Sequence, residues 1–175
     1  MIQQIDFSIL NFIQDYIKCD FLDFLFPIIT HLGDAGFVWI LIAVSLMFFK
    51  NYRKTGVAMA IGLVLGLIIG NIILKNLFGR LRPFEVAEGI NLLIKAPKDP
   101  SFPSGHTLAS FISATIVFIN HKKAGMWLFV LAFLIAFSRL YLYVHFPTDV
   151  LFGGILGVVI ANLSLFLYKK FQKSN

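Results

Sequence analysis

The sequence predicts an all-α integral membrane protein, a bundle of five to six transmembrane helices preceded by amphipathic N-terminal helices at the interface. Three observations predict it. Hydrophobic residues make up 58% of the 175-residue chain and charged residues 14%, with a mean hydropathy of +0.84, too apolar for a soluble fold of this length. Several apolar runs approach the roughly 20 residues that a helix needs to cross a bilayer. The connections between those runs carry an uneven share of cations, as the positive-inside rule requires. The whole chain, 1–175, is therefore expected to be one membrane-embedded domain.

Residues 2–17 alternate apolar residues with Gln3, Gln4, Asp6, Asn11, Gln14 and Asp15. That stretch is too polar to span and amphipathic enough to lie in the interface. Residues 21–29 are apolar but interrupted by Asp23 and Pro27, which predicts a second interfacial or partly inserted piece and makes 1–30 an interfacial segment. Five spans are predicted after it: 35–49, 55–78, 105–119, 124–143 and 148–168. The first and third are short, and must gain length from flanking residues, local bilayer thinning or protein contacts. Gly62, Gly66 and Gly70 in the second span, and Gly153, Gly154 and Gly157 in the fifth, let helix backbones approach closely, read here as packing inside one bundle. The lone Cys19 makes no internal disulfide, and no Cys/His cluster suggests a metal. Residues 1–14 hold no Lys or Arg, so a removable signal peptide is not expected.

Lys50, Arg53, Lys54, Lys122, Lys123, Lys169, Lys170 and Lys173 fall in the connections after the first and third spans and in the tail, with no acid among them. That face, with the C-terminus, is expected to be cytoplasmic. Lys18, Arg80, Arg82, Lys95 and Lys98 share the opposite face with Asp6, Asp15, Asp20, Asp23, Asp34, Glu85, Glu88 and Asp99. The N-terminal segment and the loop 79–104 are expected to face outward.

Charges at span ends need a reason, since an ion at a helix centre costs about 2.5 to 3.5 kcal/mol. Lys75 ends the second span, Arg139 lies near the end of the fourth, and Asp149 begins the fifth. Taken singly, each has a structural explanation, snorkelling for the cations and capping for the acid. Together with His106, His145 and Arg82 they converge on one membrane face from separate segments. A cationic pocket with two imidazoles suits a phosphate ester: cations stabilise its equatorial oxygens, one histidine attacks, and the other handles the leaving group's proton. In Pro103-Ser104-Gly105-His106 a turn precedes an apolar helix, so the hydroxyl and free backbone N–H groups can face an anion. In His145-Phe146-Pro147-Thr148-Asp149, the i, i+4 spacing or a turn into the helix lets the carboxylate accept from one ring nitrogen and leaves the other free to attack. Arg80, Lys95 and Lys98 are either solvated loop charges or contacts to a second phosphate or head group. Phe84, Leu92, Leu93 and Ile94 give the loop an apolar side that could rest on the membrane.

Three segments, Lys75 through Arg82-Pro83, then Pro103-Ser104-Gly105-His106, then Ser138-Arg139 through His145 and Asp149, closely resemble the signature of the type 2 phosphatidic acid phosphatase superfamily. Its pattern is KxxxxxxRP, PSGH and SRxxxxxHxxxD, and linked parts are far more specific than one short motif. The resemblance spans Lys75 to Asp149 and leaves out residues 1–34. It implies that His145 forms a phosphohistidine, Asp149 positions it, and His106 protonates the lipid leaving oxygen and later activates water. It further implies that Lys75, Arg82, Ser104, Gly105 and Arg139 hold phosphate oxygens, with no metal and no cofactor. The implied substrate is a membrane lipid phosphate or pyrophosphate: lipid A 1-phosphate, phosphatidylglycerophosphate or undecaprenyl pyrophosphate. The expected location is a bacterial inner membrane with the site facing the periplasm or exterior, and neither nucleic acid nor an obligatory protein partner is expected. Vanadium haloperoxidases share the signature but resemble larger soluble proteins. A small proton-coupled transporter is the alternative from another class; its charges would lie along the midplane, whereas these gather at one face.

Overall fold

A computed structural model describes residues 2–174, the last two by their backbone alone, so that Met1, Asn175 and the side chain of the tail cation Lys173 lie outside the described residues. Every regular element among them is a helix. α1 (Ile2–Phe12) runs into a π-helical turn at Ile13–Ile17. α2 (Asp20–Leu32) and α3 (Phe37–Phe48) meet at a 43° bend. The bend follows from two consecutive left-handed residues, Ala35 (φ 50°) and Gly36 (φ 71°). α4 (Arg53–Gly66) passes through a π-helical stretch, Leu67–Leu74, into α5 (Lys75–Phe78). After the short α6 (Pro83–Val86) come α7 (Gly105–Asn120), α8 (Lys122–Tyr141) and α9 (Pro147–Ser174).

α7 sits at the centre. Its Leu108, Ile112, Ile116 and Val117 pack with Ala58 and Met59 of α4 and Ile160 and Ala161 of α9 in one buried cluster. The glycine faces serve this packing. A Cβ on Gly157 would come within 2.8 Å of Phe111 Cβ and 3.0 Å of the Leu108 carbonyl oxygen, and one on Gly62 within 2.7 Å of Ile112. The close approaches are internal to the bundle. Trp39, fully buried on α3, donates its indole N–H to Ser110 of α7 at 3.0 Å.

Three helical stretches are long and apolar enough to cross a membrane: Arg53–Val86, Lys122–Tyr141 and Pro147–Gln172. The bent pair α2–α3 makes a fourth if it is one broken span. This is fewer than the expected five to six. The reason lies in two elements: α7 is a 16-residue helix ensheathed by its neighbours, and α3 is separated from α2 by the left-handed break.

The N-terminal segment forms helices as expected; Gln3, Gln4, Asn11 and Asp15 stay exposed, but Asp6, Gln14 and Asp23 turn inward. Asp6 and Leu10 are buried, and Leu10 packs with Tyr143 and Phe146. Gln14 donates to the Tyr141 carbonyl at 2.8 Å, and Asp23 accepts the Tyr141 hydroxyl at 2.6 Å. Ile2, Ile5, Ile9 and Phe12 stay exposed on the other side of α1. The 79–104 loop also corrects its expected form: Phe84, Leu92 and Ile94 pack onto the cluster of Tyr141, Leu142 and Val144, and of that apolar set Leu93 remains exposed.

Candidate active site

His145 is placed by the turn between α8 and α9. Tyr143 takes a left-handed conformation there (φ 59°), held as its hydroxyl donates to Asn11 at 2.9 Å. Such strain persists where surrounding contacts over-determine it. The imidazole is 1% exposed. Its Nε2 lies 3.1 Å from Arg82 Nη1, and its Nδ1 lies 3.4 Å from Ser101 Oγ and 3.6 Å from Asp149 Oδ2. A guanidinium can only donate, so the Nε2 lone pair faces Arg82 and Nδ1 carries the hydrogen. Burial first, then the charges of Arg82, Arg139 and Lys75, hold this imidazole well below the usual histidine range.

The expected direct acceptor, Asp149, stands beyond hydrogen-bond distance of the ring. Its Oδ2 accepts from Ser101 Oγ at 2.6 Å and from the Phe146 N–H at 2.9 Å, and its Oδ1 accepts from Arg80 at 2.6 Å. Ser101 thus lies between ring and carboxylate. Arg80 is paired inside the protein and is not a solvated loop charge. Gly79 ends α5 in a left-handed turn (φ 53°), and Arg80 reaches inward to Asp6 at 2.7 Å, Thr148 at 2.8 Å and Asp149, with Phe146 under its guanidinium at 4.0 Å.

Lys75, Arg82 and Arg139 are 4%, 2% and 3% exposed. Lys75 donates to Asp99 at 2.6 Å and to the Pro100 carbonyl at 2.7 Å. Arg82 donates to the Val144 carbonyl at 2.7 Å and to Asp99 through both its side-chain and backbone oxygens. Pro83 and the Glu85 carboxylate, which accepts the Arg82 backbone N–H at 2.6 Å, fix the start of α6 and with it the Arg82 backbone. Burial alone would raise the Asp99 carboxyl; the Lys75 hydrogen bond and the charges of Lys75 and Arg82 outweigh it and hold the group at about 2. Arg139 donates to Thr30 from Nη1, and its buried Nε–H has no partner among the described residues. A guanidinium N–H left unpaired beside two further cations is a donor set suited to an anion.

His106 opens α7. Its Nε2 lies 3.0 Å from Asp34 Oδ1, and Asp34 Oδ2 lies 2.7 Å from His31 Nδ1. Ser104 caps α7, accepting from the Thr107 N–H at 3.4 Å and pairing with the Thr107 hydroxyl at 2.9 Å. Gly105 lies so close to Asn71 that a Cβ would come within 2.8 Å of the amide oxygen.

One cavity of about 990 Å³ is lined by Lys75, Arg82, Asp99, Gly105, His106, Arg139 and His145, and also by Ile40 and Val44 of α3 and Leu63, Val64 and Leu67 of the α4 stretch. Lys95 lines it as well; Lys98 and Ser104 do not. No group of three or more His, Cys, Asp or Glu among the described residues could hold a metal. Sequence reasoning missed Asp34, His31, Asp99 and Ser101 as neighbours of the site. The turn cluster Gly33-Asp34-Ala35-Gly36 was a readable signal for the first, and the position of Asp99 and Ser101 just before Pro103 for the others.

The family described as the PAP2 superfamily matches residues 51–173. An undecaprenyl-diphosphatase of Sulfolobus acidocaldarius is 35% identical over 133 residues, 74% of this chain and 63% of that protein. Phosphatidylglycerophosphatase B of Bacillus subtilis is 35% identical over 159 residues, 83% of this chain and 72% of that protein. The chain thus spans about two thirds of the length of these relatives. The crystal structure of Aquifex aeolicus LpxE superposes with a TM-score of 0.79 at 30% identity, covering 91% of this chain and 93% of that one.

Proposed function

Since this chain belongs to the PAP2 superfamily, we propose that it hydrolyses a phosphomonoester or pyrophosphate on a membrane lipid, without a metal, through a phosphohistidine on His145. The observation that carries this reading is the cavity. Three buried cations and the histidines His31, His106 and His145 share its wall with apolar side chains of α3 and α4, so a phosphate and the hydrocarbon attached to it are accommodated together.

The chemistry follows from the tautomers. His145 Nε2 attacks phosphorus as the bond to the lipid oxygen breaks, and His106 donates a proton to that oxygen. Neutral His106 then takes a proton from water, the hydroxide attacks phosphorus, and the N–P bond breaks to release phosphate. Lys75, Arg82, Arg139 and the Gly105 N–H stabilise the equatorial oxygens, and Ser104 contributes by capping α7 so that this N–H points outward. Asp99 gives way to the substrate. Asp149, steadied by Arg80 and linked through Ser101, supports the positive charge on the attacking ring. Lys95 is the loop cation suited to a second phosphate or head group.

The proposed substrates are pyrophosphate- and monophosphate-bearing lipids taken with relaxed specificity. Two relatives named as an undecaprenyl-diphosphatase and a phosphatidylglycerophosphatase support that class. The proposed topology has five spans, α3, α4–α5, α7, α8 and α9, with the site on the outer face of a bacterial inner membrane and the tail in the cytoplasm. The cations between α3 and α4, between α7 and α8, and in the tail support this orientation.

The test is phosphate release by detergent-purified protein under excess chelator, wild type against His145→Ala, from polyprenyl pyrophosphate, phosphatidylglycerophosphate and lipid A. Release that resists the chelator and vanishes in the variant is expected. No release from any substrate, or release abolished by the chelator, would overturn the reading.

A further inference from the structure

His106 is held by residues outside the matched region. One Asp34 carboxylate bridges two imidazoles, His106 Nε2 at 3.0 Å and His31 Nδ1 at 2.7 Å, and all three side chains line the cavity. A carboxylate only accepts, so each of those ring nitrogens carries a hydrogen. Nδ1 of His106 is then the nitrogen left to exchange a proton. The ring is clamped by the same edge, since a Cβ on Gly33 would come within 2.7 Å of His106 Cδ2. The α2–α3 junction that supplies this clamp is a built feature: Ala35, a residue with a Cβ, is left-handed at φ 50°, a conformation that costs about 1 to 2 kcal/mol and is retained where it serves a site.

We propose that Asp34 is the positioning residue of the acid–base histidine, with His31 fixing its second oxygen. Asp34 keeps the proton on His106 Nε2 and aims Nδ1 at the reacting phosphate. It also supports the imidazolium that forms before Nδ1 gives its proton to the leaving oxygen and again after Nδ1 takes one from water. Asp34 stays ionised throughout, and the Nε2 proton never leaves the ring. The N-terminal segment, residues 2–34, thereby contributes to an active site whose three buried cations and two signature histidines lie within residues 51–173. The inference rests on the acid–base role read for His106 above.

The experiment compares wild type, Asp34→Asn, Asp34→Glu, His106→Gln and the double variant Asp34→Asn/His106→Gln on phosphatidylglycerophosphate and polyprenyl pyrophosphate, with inhibition by inorganic phosphate as a check on the folded site. Asp34→Asn is expected to lower kcat about 100-fold, with KM within about threefold and phosphate inhibition retained. Asp34→Glu should recover most of the rate, and Asp34→Asn should cost no more than about twofold in the His106→Gln background. Losses that multiply in the double variant, equal losses in the Asn and Glu variants, or loss of phosphate inhibition would reduce Asp34 to a structural part and overturn the proposal. If His106→Gln is inactive while Asp34→Asn keeps its rate within twofold, this proposal alone falls. If His106→Gln itself keeps its rate, the acid–base reading falls and takes the proposal with it.

Discussion

Arg80 Nη1 and Asp149 Oδ1 are joined at 2.6 Å, so the buried carboxylate beside His145 is anchored by one oxygen and faces Ser101 and the ring with the other. The same guanidinium also pairs with Asp6 at 2.7 Å, tying α1 to the start of α9. Replacing Arg80 by Ala leaves two buried carboxylates, 1% and 0% exposed, without their cation. Breaking a buried pair in this way costs about 3 kcal/mol. Arg80→Ala should unfold at markedly lower denaturant concentration in micelles and lose far more activity than Lys95→Ala. Arg80→Lys should recover only part, because one ammonium cannot span both acids as the planar fork does. An Arg80→Ala protein of unchanged stability and rate would show the pairing to be incidental.

Asp99 occupies Lys75 and Arg82 with contacts of 2.6 and 2.9 Å, two of the three cations proposed to hold the phosphate. Its carboxyl lies at about 2, below the ordinary 3.8, so its stabilising contribution is present above the ordinary carboxylate range and is lost as pH falls through about 2. At any pH near neutrality it is a full competitor for an incoming anion. Asp99→Asn should therefore tighten inhibition by inorganic phosphate about tenfold, equivalent to about 1.4 kcal/mol, with little change between pH 6 and 8. Weaker inhibition in the variant would mean that Asp99 chiefly orients the cations for phosphate.

Burial and three cations push the His145 ring below the usual histidine range, which keeps the attacking nitrogen unprotonated in mildly acidic solution. Nitrogen NMR of the histidine-labelled protein should find one ring that stays neutral, with the hydrogen on Nδ1, as pH falls through the range where exposed histidines titrate. His145→Gln assigns that signal. Arg82→Gln removes the donor facing Nε2 and part of the repulsive charge, so the ring should titrate closer to its ordinary value. A His145 signal that titrates as an exposed histidine in the wild type would contradict the geometry.

The signature residues and the helices that carry them were legible because their types and spacings are local: Lys75 at a span end, Pro103 and Gly105 before α7, His145 and Asp149 across one turn. Membership of Lys75, Arg82, His106, Arg139 and His145 in one cavity follows from helix ends alternating across a bundle. Partnerships between distant residues were hidden. Arg80 looked like an ordinary loop cation because its partner Asp6 is 74 residues away. Asp6, Gln14 and Asp23 looked like the wet side of an interfacial helix, and nothing in their periodicity distinguishes solvent from a buried partner such as Tyr141. Length and composition mark three or four of the expected spans, because α7 has only 16 residues and neighbouring helices enclose it.

The apolar side of the cavity yields the remaining prediction. Val64, on α4, lines the cavity yet is 55% exposed, so it borders the opening without filling the core. A tryptophan there should obstruct the hydrocarbon chain while leaving Lys75, Arg82, Arg139 and both histidines untouched. Val64→Trp should raise KM for polyprenyl pyrophosphate and long-chain phosphatidylglycerophosphate about tenfold, a cost of about 1.4 kcal/mol. Short-chain, micelle-free phosphate esters should be hydrolysed at the wild-type rate, and inorganic phosphate should inhibit as before. An equal loss on short and long chains would place the hydrocarbon elsewhere and leave the α3–α4 wall as packing alone. An unchanged KM for every chain length would mean that the lipid enters from another side of the cavity.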